Sequence, residues 1–256
     1  MEGTSNRNGL SNTFLENLPS ALGIGDSDAE NLLLREYGAV FVARGGAVPP
    51  DRVVFVNAKE VERFQTELKI GEENIGGFRL ELQAPAMDAL RRAIAEAESQ
   101  KLSITPRGRD SARRSYDETI ELWASRVDPA LTHWVEQGRL TNNQAEAIKS
   151  LSPFEQVPEV LQLEQQGIWF AKDLSKSIIY SVAPPGTSQH LSLLAFDVAE
   201  FDDPLIREIL AREGWFQTVV SDLPHFTYLG VHEAKLPQLG LKRSVSAGFT
   251  FWAPDM

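Results

Sequence analysis

Two periods of apolar and polar residues run along this chain, and the change from one to the other divides it. Residues 1–30 are rich in Gly, Ser, Asn and Asp, with one apolar patch around Phe14, Leu15 and Leu18. That composition predicts a flexible arm with room for one short helix. Residues 38–44 and 52–57 are rich in Val, Phe and Ala and flank Gly45-Gly46 and Pro49-Pro50. They predict two strands about a turn. From Ala58 to Leu68 the positions Val61, Phe64 and Leu68 fall at helical spacing. Residues 85–99 give the clearest helix, with Pro85 in its first turn and Met87, Leu90, Ile94 and Ala97 in one stripe. A short strand is predicted at 102–105. Helical spacing returns at 111–126, with Tyr116, Ile120 and Trp123 on one side. It continues through 129–138, 142–150 and 154–166, punctuated by Gly138, Pro153 and Gly167.

After Gly167 the texture turns to β-formers. Residues 178–182 read as a strand, followed by the hard turn Ala183-Pro184-Pro185-Gly186 and a second strand at 191–198. A helix at 203–212 precedes strand-like runs at 215–220 and 225–229. The middle third is mostly helix and the last third mostly sheet. This segregation predicts an α+β fold, a helical middle segment packed on a mainly antiparallel sheet, rather than a doubly wound one. No internal repeat or low-complexity tract interrupts it.

Composition narrows the chemistry. The 256 residues include no cysteine, which excludes disulfides, Fe–S clusters and thiol nucleophiles. A zinc ion here must sit on His and carboxylate ligands, and only four histidines exist: His133, His190, His225 and His232. The net charge of −11 argues against a nucleic-acid partner, which calls for clustered positive charge. No run of about 18 apolar residues encodes a transmembrane helix. The polar start lacks the order of an export signal, which fits a cytosolic chain and equally one trimmed behind a signal.

Two histidines stand beside carboxylates in the strand-rich part. One group is Ser188-Gln189-His190 with Asp197; the other is Asp222-Leu223-Pro224-His225. Two imidazoles and one carboxylate with an open fourth position form the ligand set of a catalytic zinc, and a further carboxylate could then act as general base. The bland alternative is that each histidine is a hydrogen-bonded core residue. His190 lies an odd number of residues from Asp197, so a regular strand would put the two on opposite faces. His190 must therefore precede the regular strand, near the Pro-Pro-Gly turn. His225 is expected at the first residue of its strand, since Pro224 keeps the chain extended before it.

Ser188-x-His190-x6-Asp197, with Ala195 two residues before the aspartate, resembles the signature of the zinc D-alanyl-D-alanine carboxypeptidases of the VanY type and their endopeptidase relatives. Asp222-x-x-His225, leading into Phe226-Thr227-Tyr228-Leu229-Gly230, stands where that family has Glu-x-x-His and an aromatic strand. Arg114-Ser115-Tyr116 resembles the family's arginine segment in spacing. The resemblance spans roughly residues 80–256. It implies a zinc peptidase-like domain at 81–256 and leaves the first 80 residues unexplained, which divide into the flexible arm at 1–30 and a small N-terminal subdomain at 31–80. It also implies that His190, Asp197 and His225 hold Zn²⁺, that Asp222 is the general base, that Ser188 orients the site by hydrogen bonding, and that an arginine holds the carbonyl oxygen or a terminal carboxylate. Arg107, which follows the 102–105 segment, and Arg114 share that last role as alternatives; Arg109 and Arg113 lie nearby. The implied substrate is a peptidoglycan stem peptide, cleaved as by a D,D- or L,D-carboxypeptidase, and the implied location is the periplasm or cell envelope.

Three positions depart from the family pattern. Leu193 replaces a glycine, Thr119 replaces a glutamine, and Asp222 replaces the usual glutamate. Aspartate is shorter by roughly 1.5 Å of reach, and misplacement on that scale costs about 100-fold in rate. The alternative reading is thus a weak or inactive relative that binds peptidoglycan or a protein partner. His133, beside Trp134, is expected to be structural, and His232, beside Glu233, to lie at the surface. Gly23-x-Gly25 lacks the strand that a dinucleotide fingerprint needs, and Ser188 lacks a nucleophile elbow. Trp215, Phe216 and Phe226 are expected in the core.

Overall fold

Side-chain caps fix where most helices begin. The computed structural model describes residues 12–23 and 27–256; the remainder of the predicted arm, and Gly25, lie outside the described residues. Helix α1 (Thr13–Asn17) follows an Asn12 cap and buries Phe14, and α2 (Asp28–Tyr37) follows Ser27. Helix α3 (Ala58–Thr66) is capped by Asn57. Strands β1 (Ile70–Ile75) and β2 (Phe78–Gln83) form a hairpin that leads into α4 (Ala84–Ser99). Helix α5 (Tyr116–Glu136) starts at a Ser115–Glu118 capping box, α6 (Asn142–Lys149) at Thr141–Gln144, and α7 (Pro153–Glu164) at Ser152–Glu155. Then come β3 (Ala195–Asp197), α8 (Pro204–Arg212), β4 (Trp215–Phe216), β5 (His225–Tyr228), β6 (Leu241–Ser246) and β7 (Phe249–Pro254).

The architecture is α+β, but of the strands the apolar runs predict only those at 191–198, 215–220 and 225–229 form, each shorter than predicted. β3, β5 and β4 make an antiparallel sheet in that order, and β6–β7 a separate hairpin. The largest apolar cluster runs from Leu22 and Leu33 through Met87 and Leu90 to Phe196, Trp215, Phe226 and Tyr228. Helices α5, α6 and α7 close a second cluster around Trp123, Leu131 and Val160, joined by Ile178 and Ile179. No described helix is long and apolar enough to cross a membrane.

Four predicted strands are corrected. Residues 38–42 form a 3-10 turn, every residue of which is buried. A wholly apolar run covered on all sides carries no alternation to distinguish strand from helix. Residues 52–57 are extended but have no partner strand; Phe55 N donates to the Gly186 carbonyl at 3.0 Å and no ladder follows. At 102–105 the chain makes only an isolated bridge, Pro106 to Val198, because proline offers no donor to extend it. At 178–182 a 3-10 turn replaces the strand: the Glu164 carboxylate accepts from Ile178 N at 2.7 Å and Phe170 N at 3.2 Å, taking donors a ladder would use.

Gly186 ends the Pro-Pro-Gly turn at φ +79°, and a Cβ there would run into the Phe55 carbonyl. A Gly186→Ala substitution combines that clash with a left-handed backbone. It is expected to cost about 1–3 kcal/mol or more, seen as a fall of several degrees in thermal unfolding. An unchanged melting temperature would show that the turn relaxes freely.

Candidate metal centre

The predicted strand at 191–198 is also shorter than expected, and the shortening builds the site. Residues 189–192 form a 3-10 turn, and Leu193 follows at φ 59°, ψ 29°. Glycine adopts this conformation freely, whereas leucine pays about 1–2 kcal/mol. Two buried glutamines hold the turn's carbonyls: Gln65 Nε2 donates to Leu191 O at 2.9 Å and Gln83 Nε2 to Ser192 O at 2.8 Å. His190 is thereby lifted off the strand, as its odd spacing requires. Only then does β3 begin, and its last residue, Asp197, pairs directly with His225, the first residue of β5.

The loop after residue 105 completes the frame. Arg107 N donates to Asp197 O at 3.1 Å, and Asp197 N donates to Ser111 O at 2.9 Å. The Ala112 carbonyl lies 3.0 Å from His190 Nδ1. This loop acts as an edge for β3 without being a strand.

Hydrogen-bond partners assign the imidazole tautomers. A carbonyl only accepts, so His190 Nδ1 carries the proton, and the Nε2 lone pair of the neutral ring faces Asp197 Oδ1 at 3.3 Å. Gln189 Nε2 donates to Tyr37 O at 2.8 Å, which fixes the amide and leaves its Oε1 as acceptor. His225 Nε2, 3.0 Å from that Oε1, therefore donates, and His225 Nδ1 turns its lone pair toward Asp197 Oδ1 at 3.0 Å. With both rings neutral, three acceptor atoms converge, all within 4.8 Å of one another, and none of them has a proton to donate. Such a group is stable only with added protons or a cation. The histidines are 2% and 4% exposed. Without a cation, protons on the two rings take that place: burial opposes ionisation of Asp197, yet His190 and His225, donating to it, hold its carboxyl well below the usual range. Two imidazole nitrogens and one carboxylate, each imidazole braced on its far nitrogen, fit zinc with an open position.

A cavity of about 490 Å³ opens on this group, and Arg107, Arg114, Ser188 and Asp222 line it together with His190, Asp197 and His225. Arg114 does not lie within the predicted 111–126 helix but just before its Ser115 cap. Its guanidinium is 3.8 Å from Asp197 Oδ2 and 3.7 Å from Asp110, with Nε buried and without a partner. Arg107 is exposed at the rim and pairs with no carboxylate among the described residues. Arg109 and Arg113 face elsewhere, toward Glu118 and toward Glu81 and Gln65. Asp222 is exposed, and its backbone carbonyl accepts from His225 N at 3.2 Å.

The remaining candidates are placed away from this group. His133 packs edge-on against Trp134, His232 is exposed, and Trp215, Phe216 and Phe226 are buried. Gln189, Ser111 and Ala112 were not singled out from the sequence. Gln189 sits inside the quoted Ser-x-His motif, but its bond to His225 arises only in three dimensions.

Neither a family model nor a curated protein matches the chain. Two solved structures are similar to it. One is a variant of the vancomycin-resistance D,D-pentapeptidase VanY in complex with Zn(II), at 16% identity and TM-score 0.36, covering 76% of this chain and 89% of that one. The other is the LD-carboxypeptidase LdcB, at 14% identity and TM-score 0.39, covering 86% and 91%.

Proposed function

We propose that the chain is a zinc-dependent peptidase of the D,D- or L,D-carboxypeptidase kind, acting on peptidoglycan stem peptides outside the cytoplasm. The observation that carries the metal is the convergence of three lone-pair atoms, His190 Nε2, Asp197 Oδ1 and His225 Nδ1, none of which has a proton to donate when both rings are neutral. The substrate class rests on the motif resemblance. Zinc held there would supply Lewis-acid activation of a water and of the scissile carbonyl, bringing the water's pKa to about 7.

The protein's own groups then divide the work. Asp222, at the cavity wall three residues before the start of His225's strand, takes the water's proton and returns it to the leaving amine. Arg114 is the better placed of the two arginines, since Asp197 and Asp110 orient it at the metal group while its Nε remains free to donate. It would stabilise the oxyanion or hold a terminal carboxylate. Ser188 lines the same cavity, two residues ahead of His190. A second reading, binding without turnover, is favoured by one substitution, Asp222 in the glutamate's place. Amine release from D-alanine-terminated muropeptides by the zinc-loaded protein, absent from the metal-free protein, supports the first reading. Tight binding without release supports the second.

Gln189 offers a separate check on the metal. Its Oε1 accepts from His225 Nε2 and from the Thr227 hydroxyl. In Gln189→Leu the His225 tautomer loses its brace, and zinc affinity is expected to fall about 10- to 100-fold, measured by chelator competition. Unchanged affinity would mean that His225 is not oriented for metal.

A further inference from the structure

Helix α5 leads away from the metal group along one wall of the cavity. Arg114 precedes its N-cap, and Leu122 and Arg126, four residues apart and so on one face, line the same cavity further on. Arg126 lies ten residues beyond Tyr116, about 15 Å along the axis at 1.5 Å per residue. The 178–182 turn packs opposite. Arg126 Nε donates to Ser181 Oγ at 3.0 Å and Nη1 to Ser125 Oγ at 2.9 Å. No carboxylate lies within ion-pair distance of Arg126 among the described residues, and Nη2 makes no hydrogen bond among them. Ser181 Oγ also accepts from Lys172 N at 3.4 Å. With both acceptor sites of that hydroxyl taken, its proton is left to donate.

A held guanidinium with its Nη2 unbonded and no carboxylate partner, and a spare hydroxyl proton, facing one cavity, form a site for an anion. We propose that Arg126 and Ser181 bind a carboxylate of the peptide substrate, on a residue several positions from the scissile bond. The cavity wall thus runs about three turns of α5 on to Arg126, the length of several extended residues at about 3.3 Å each. The inference rests on the carboxypeptidase reading of the cavity. Under that reading only the acyl side of the scissile bond is long enough, so the carboxylate belongs to the retained stem and not to the released amino acid.

The test compares pairs of stem peptides that differ only in a free carboxylate or a carboxamide at successive acyl-side positions. Their binding to the zinc-loaded protein is measured by calorimetry, so the result does not depend on turnover. The wild type is expected to bind one acid form about 10- to 100-fold more tightly than its amide. Arg126→Gln should bring that ratio close to one, and Ser181→Ala should lower it in part. Equal binding of acid and amide by the wild type at every position would overturn the inference. So would full discrimination surviving in Arg126→Gln. Discrimination without amine release would instead sink the peptidase reading and leave this site standing.

Discussion

His190→Ala should abolish stoichiometric zinc binding and take peptide turnover to background. The wild-type cluster offers Asp197 Oδ1 flanked by His190 Nε2 at 3.3 Å and His225 Nδ1 at 3.0 Å. Removing one imidazole leaves a two-ligand site of Asp197 and His225. The loss should exceed the roughly 10- to 100-fold that removal of an outer hydrogen-bond partner costs. His190 is buried, so circular dichroism and thermal unfolding must accompany the titration. His190→Gln, which keeps a donor of similar size, guards against simple unfolding. Wild-type zinc affinity in a folded His190→Ala protein would remove the residue from the metal site.

Asp222→Asn should leave zinc bound but reduce turnover by about 10²- to 10⁴-fold, the usual worth of a general base. Asp222 is exposed and is not among the three convergent ligands, so this variant separates proton transfer from metal binding. Asp222→Glu tests the shorter reach: a faster enzyme would show that the aspartate limits the rate. Undiminished turnover in Asp222→Asn would place the base elsewhere.

The metal group was legible because its constraints are local. The odd spacing of His190 and Asp197 forces the histidine off a regular strand, and Pro224 sets His225 at a strand's start. The frame around it was not. Residues 38–42, 178–182 and 189–193 are continuous apolar or mixed runs, and nothing in their period reveals that Glu164, Gln65 and Gln83 will take their backbone partners. The β1–β2 hairpin is too polar, with Glu72, Glu73, Asn74 and Arg79, for a hydrophobic pattern to show. Its Gly76-Gly77 pair, both at positive φ, was the available turn signal. Arg114 falls inside the predicted 111–126 helix, and the Ser115 cap places it in the loop instead.

The central claim is that His190, Asp197 and His225 hold one zinc ion. Its most direct test is calorimetric titration of the metal-free protein with Zn(II), run in parallel on His190→Ala. One tight site per chain, absent from the variant, is the predicted result. No binding by the folded wild type, or an identical isotherm for the variant, would contradict it.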